Sequence, residues 1–93
     1  MVASLIRTDG SGELITPLNE TDFTLSEIQK HVGGLIEVLH LSGRLIMIVN
    51  EGGKLNGLDI NPVATFIAHE NMAIHGTDYI VGDAVVCDNS MLK

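Results

Sequence analysis

Between Phe23 and Gly34 the chain reads FTLSEIQKHVGG, a stretch that marks both ends of a helix. Thr24 can cap the backbone N–H of Glu27 while the Glu27 carboxylate reaches back to that of Thr24, and Phe23 and Ile28 occupy the positions of a hydrophobic staple. Gly33-Gly34 supplies a left-handed stop. The helix is therefore predicted over 25–32, with Leu25, Ile28 and Val32 on its apolar face. The helix covers only a small part of a chain of 93 residues, and apolar segments flank it on both sides.

Those segments have strand character. VASLIR (2–7) is short and β-prone, and the cluster Thr8-Asp9-Gly10-Ser11-Gly12 turns it into GELITPL (12–18), where Pro17 marks an edge or an end. LIEVLHL (35–41) is partly apolar on each face, as expected of a sheet with one covered side. Ser42-Gly43 connects it to RLIMIVN (44–50), whose continuous apolar run predicts a central strand. Asn61-Pro62 pairs a strong N-cap with proline at the first helical position, which predicts a second helix over 62–70. DYIVGDAVVCD (78–88) reads as a last strand with Gly82 at a bulge or close approach, and 89–93 is expected to fray. The order is β-β-α-β-β-α-β: a single α+β domain over 1–93, with two short helices on a mixed or antiparallel sheet. A ferredoxin-like order, with one strand before the first helix, fits less well.

Composition narrows the function classes. Phe23, Phe66 and Tyr79 are the only aromatic residues, so the core is aliphatic and platforms for stacking single-stranded bases are not expected. A net charge of −7 opposes binding to nucleic acid. The acidic residues are spread through the chain, which suits solubility; a face for a basic partner is the alternative. Cys87, the sole cysteine, lies in an apolar run and reads as a small buried hydrophobe in a reducing compartment. Neither a membrane span nor a signal-peptide pattern is evident, so a cytoplasmic protein without membrane contact is expected. A chain this short gains stability from a second copy, and a dimer is expected.

Catalytic and metal motifs are weak. His31, His40, His69 and His75 match neither H-E-x-x-H nor a Cys/His zinc pattern. Glu37, Asp83 and Asp88 lie in strand contexts where a raised carboxyl pKa could serve catalysis, but wet-face strand residues are the simpler reading. No nucleophile elbow is present. No catalytic residue, metal ligand or cofactor is assigned. NEGGKLNG (50–57) lacks the spacing of a phosphate-binding P-loop, because Leu55 stands where the magnesium-binding hydroxyl belongs. It is either a plain turn or a polar rim of Asn50, Glu51, Lys54 and Asn56 beside Asn61, where helix N–H groups could receive an anion.

The ordered strings VGGLIEVLHL, VNEGGKLNGL, NPVAT and YIVGDAVV resemble a family of small proteins from phages, plasmids and their bacterial hosts, the domain-of-unknown-function family 3846. The resemblance spans about residues 23–88. It is carried by Val32, Gly33, Gly34, Ile36, Glu37, Asn50, Glu51, Gly53, Lys54, Leu55, Gly57, Leu58, Asn61, Ala64 and Gly82. It departs at the second helix and the 71–77 loop, which are longer than the family's usual link and offer room for a private surface. The resemblance implies a compact domain on mobile DNA with no agreed biochemical role. Together with the charge and the missing catalytic motifs, it leads to the expectation of a non-catalytic module that binds and modulates a host protein. A small-ligand binder for a nucleotide-like signal is the alternative, and an enzyme ranks third.

Overall fold

In the computed structural model, which describes residues 2–93, two hairpins are joined into one sheet by the last strand to be made. The strands are β1 (Ala3–Ile6), β2 (Gly12–Ile15), β3 (Ile36–His40), β4 (Leu45–Asn50) and β5 (Ala84–Asp88). Their spatial order is β2-β1-β5-β4-β3, and every pairing is antiparallel. The predicted element order thus holds, and the sheet is antiparallel rather than mixed. β4 is interior as expected, but the middle of the sheet belongs to β5.

The helices match their sequence signals residue for residue. α1 spans Leu25–Val32, with the capping box formed and Gly33 in the left-handed region at φ 86°. The Glu27 carboxylate accepts backbone N–H groups from Thr24 and Leu18, which holds it below the usual range. Phe23 and Ile28 are fully buried, whereas Leu25, expected on the apolar face, is 52% exposed. α2 spans Pro62–Glu70 with Asn61 as its N-cap.

Both faces of the sheet are covered, in contrast to the single covered face expected from β3. Ile46 and Ile48 of β4, Val85 and Cys87 of β5 and Leu5 of β1 pack with Ile28 and Val32 of α1. The alternate residues Met47, Val49 and Ala84 pack with Ala64 and Ala68 of α2. The unbroken apolar run of β4 follows from this, since a strand buried on both sides has no wet face to alternate with.

Two further expectations are corrected. The last strand begins at Ala84 rather than at residue 78, because the chain from 79 to 82 pairs with 59–61 instead. Asn61 N–H donates to the Ile80 carbonyl at 2.8 Å, Gly82 N–H donates to the Asp59 carbonyl at 2.8 Å, and Ile60 bridges Val81. Gly82, at φ 76°, then turns the chain into β5. The C-terminal segment does not fray: Asn89–Met91 forms a 3-10 turn, Met91 is 1% exposed, and Phe23 and Leu92 form a parallel bridge. Phe23 N–H donates to the Met91 carbonyl at 2.6 Å and Lys93 N–H donates to that of Phe23 at 3.1 Å. Asp88 anchors this turn by accepting from Ser90 N–H and from Arg44, which together hold its carboxyl near 2.

Asn61 is completely buried. Its Nδ2 donates to the carbonyls of Ile6 and Gly82, both at 2.9 Å, and its Oδ1 accepts from Ala64 N–H at 3.0 Å. One side chain therefore joins the end of β1, the approach to β5 and the first turn of α2. Asn61→Ala removes one bond from each of two buried carbonyls and takes the cap from the Ala64 N–H, at about 1 kcal/mol or more for each bond lost. The expected loss is on the order of 3 kcal/mol or more, read from the urea midpoint. Asn61→Asp should be no better, because its carboxylate would face two carbonyls. Burial also pushes the Cys87 thiol up to about 11. Modification of Cys87 by a thiol reagent near neutral pH should therefore be limited by unfolding, and should become fast in denaturant.

Candidate functional site

The segment 50–57 is a compact run of turns between β4 and the chain leading to α2. Its backbone N–H groups point back into the loop: Gly53 to Asn50 O, Asn56 to Gly52 O, Gly57 to Lys54 O and Leu58 to Gly53 O, at 3.0–3.3 Å. Asn50 Oδ1 takes Gly52 N–H at 2.9 Å while its Nδ2 donates to the Val32 carbonyl at 3.0 Å. Asn50 thereby ties the end of α1 to the start of the loop. A loop wound in this way turns most of its N–H groups away from a phosphate.

The loop is seated against the 79–82 segment by two glycines. A Cβ on Gly53 would lie 2.6 Å from Cγ2 of Val81, and one on Gly82 would lie 2.8 Å from Cδ1 of Leu58. A side chain at either point would have to push its neighbour aside.

This close approach shapes a cleft of about 190 Å³ on the α2 side of the sheet. Its floor is Leu39 and Val49, with Ile74 and Ile80 on the flank; Glu37, Glu51, Lys54, Leu55, Asp78 and Tyr79 form the walls and rim. Lys54 forms an ion pair with Asp78, and its Nζ sits 4.4 Å from the centroid of the Tyr79 ring. The hydrogen bond to Asp78 raises the Lys54 pKa and lowers that of Asp78. Tyr79 N–H donates to the same Asp78 oxygen at 2.8 Å, and His69 Nε2 lies 2.8 Å from the Asp78 carbonyl. These contacts fix the carboxylate beneath the lysine.

The five residues proposed from sequence divide accordingly. Glu51 and Lys54 meet at the cleft. Asn50 touches its wall, but its polar atoms are engaged elsewhere. Asn56 is exposed on the loop and does not line the cleft, and Asn61 is enclosed in the core. The anion-receiving end of α2 is closed as well: Pro62 has no N–H, and that of Ala64 is held by Asn61. Asp78 and Tyr79 were missed because they were read as the beginning of a strand, and nothing local links them to a lysine 24 residues earlier.

The other candidate groups do not converge. Asp83 accepts from Thr8 N–H at 3.2 Å, Asp88 binds Arg44 and the C-terminal turn, and His31 packs edge-on against Phe23 with centroids 6.3 Å apart. Among the described residues, no group of three or more His, Cys, Asp or Glu is placed to hold a metal ion, and no helix is long and apolar enough to cross a membrane.

Gly53→Ala must push the loop off Val81 and is expected to cost about 1–3 kcal/mol. Asn56→Ala, on the exposed side of the same loop, should stay within about 0.5 kcal/mol. Paired urea titrations of the two variants check the seating. No curated protein and no solved structure matches the chain. Residues 5–91 match the family model described as "Domain of unknown function (DUF3846)", and the chain belongs to that family.

Proposed function

We propose that the protein is a non-catalytic binding module of a phage or other mobile element, working in the cytoplasm by docking on a host protein through a basic surface. The observation that supports this reading is the charge and size of the cleft. Glu37, Glu51 and Asp78 surround Lys54, which is already paired, so two negative charges are left over a floor of apolar side chains. At about 190 Å³ the cleft is smaller than the roughly 300–1,000 Å³ of typical small-molecule sites, and it suits one inserted side chain. Leu55 stands 96% exposed at its rim, an apolar contact for the surface around that side chain. The overall charge of −7 steers a basic partner toward the same protein. The mobile-element setting rests on the sequence resemblance, and the cytoplasmic one on a lone, buried thiol.

A nucleotide-like ligand is less well supported. Its phosphates would meet an excess of carboxylates, a loop that turns most of its amides inward and a helix start capped by Asn61.

The test is affinity capture from host lysate with wild type and the charge reversals Glu51→Lys and Glu37→Lys. Wild type should retain a basic protein at near-stoichiometric yield at about 0.1 M salt and release it near 1 M, where the screening length falls from about 10 Å to about 3 Å. Both reversals should lose it while unfolding at the wild-type urea midpoint. Recovery of no partner, or equal recovery by the reversals, overturns the reading.

A further inference from the structure

The cleft already holds a cation. The Lys54 ammonium is bonded to the Asp78 carboxylate and lies over the face of Tyr79, 4.4 Å from the ring centroid. Carboxylate below and aromatic face alongside are what an alkylammonium or guanidinium group needs for recognition. The lysine reaches this position from a surface loop and is half exposed at its side chain. Asp78, in contrast, is braced by the Tyr79 N–H, and its own carbonyl is held by His69. The carboxylate and the backbone that carries the ring are thus held in place, while the ammonium is mounted on a flexible stem.

We propose that Lys54 is an internal stand-in for the ligand: a lysine or arginine side chain of the partner enters the cleft, displaces the Lys54 ammonium and takes its place on Asp78 and Tyr79. The inference rests on the binding reading above and names the group recognised. Displacement is cheap because Lys54 swings into water, and an exposed ion pair and cation–π contact of this kind hold it only weakly. The stand-in keeps the cage from standing open as an uncompensated acidic pocket, and it sets a threshold that a weak cation does not cross.

Tyr79 is the only tyrosine and the chain has no tryptophan, so intrinsic fluorescence reports this one site. The probe is Nα-acetyl-lysine amide, titrated into wild type, Lys54→Met and Lys30→Met. The last removes the same charge from α1, away from the cleft. Lys54→Met should saturate at a concentration about three- to tenfold lower than wild type, in line with the loss of one exposed competing contact. Lys30→Met should titrate like wild type. Adding Asp78→Asn to Lys54→Met should abolish the response, with an unchanged urea midpoint showing that the fold persists. Lys54→Gln repeats the test with a polar stem.

Equal midpoints for wild type, Lys54→Met and Lys54→Gln, or an equal gain in Lys30→Met, would overturn the inference. If partner capture still fails on Glu51→Lys while Lys54→Met shows no gain, the stand-in falls and the binding function survives. If no variant responds and no partner is captured, both fall together.

Discussion

The buried amide of Asn61 is the constraint from which the rest of the architecture follows. A strand, a helix and a crossing segment all end near one point, and each brings a backbone group that has no partner within its own element. The carbonyls of Ile6 and Gly82 and the N–H of Ala64 are satisfied by the two donor hydrogens and the oxygen of this side chain. Of the short side chains, only a carboxamide offers two donors and an acceptor in that arrangement. Aspartate lacks the donors and serine lacks the reach. Because the site is dry, leaving any of these groups unpaired is costly, and the three elements are held together as a unit.

The strand order makes that joint more consequential. β1–β2 and β3–β4 are local hairpins, but neither touches the other in the sheet until β5 enters between β1 and β4. The last strand must therefore be delivered to the centre of the sheet, and its approach through 79–82 is guided by Asn61 and by the bridge of Ile60 to Val81. Glycine at 53 and 82 lets the 50–58 loop close onto this approach at distances no Cβ tolerates. The cleft is a by-product of that closure. Lys54 belongs to the loop and Asp78 to the incoming segment, so their ion pair forms only when the two halves of the chain have come together.

What could be read in advance was what depends on neighbours in sequence. The Thr24–Glu27 capping box, the Gly33 stop and the Asn61-Pro62 start are local geometry, and both helices fall where those residues put them. The last strand starts later than its sequence suggests because residues 79–82 are as apolar as a strand but spend their hydrogen bonds on 59–61, a choice made by tertiary structure. The C-terminal segment was misjudged for a similar reason: Met91 and Leu92 meet Phe23, some 70 residues away. At the cleft, Glu51 and Lys54 were legible as polar loop residues, and so were Asn50 and Asn61. Residue type alone does not separate an asparagine that caps buried backbone from one that faces a ligand, whereas burial and hydrogen-bond partners do.

The same distinction bears on how a protein of 93 residues divides its polar side chains between frame and surface. Two of its most polar positions, Asn50 and Asn61, are spent on holding the frame: the first joins α1 to the loop, the second joins α2 to two strands. Side chains released from that duty lie on the rim between the loop and the 78–79 segment, where Glu37, Glu51, Leu55 and Tyr79 stand around one ion pair. In the proposed displacement a braced carboxylate beneath supplies the geometry and a flexible lysine above supplies reversibility. Substitutions in the frame should thus act through stability, and substitutions on the rim through binding with stability unchanged. That separation follows from where the buried amides sit, and it makes the cleft, rather than the glycine-rich backbone beside it, the part of the loop where the proposed binding is tested without disturbing the fold.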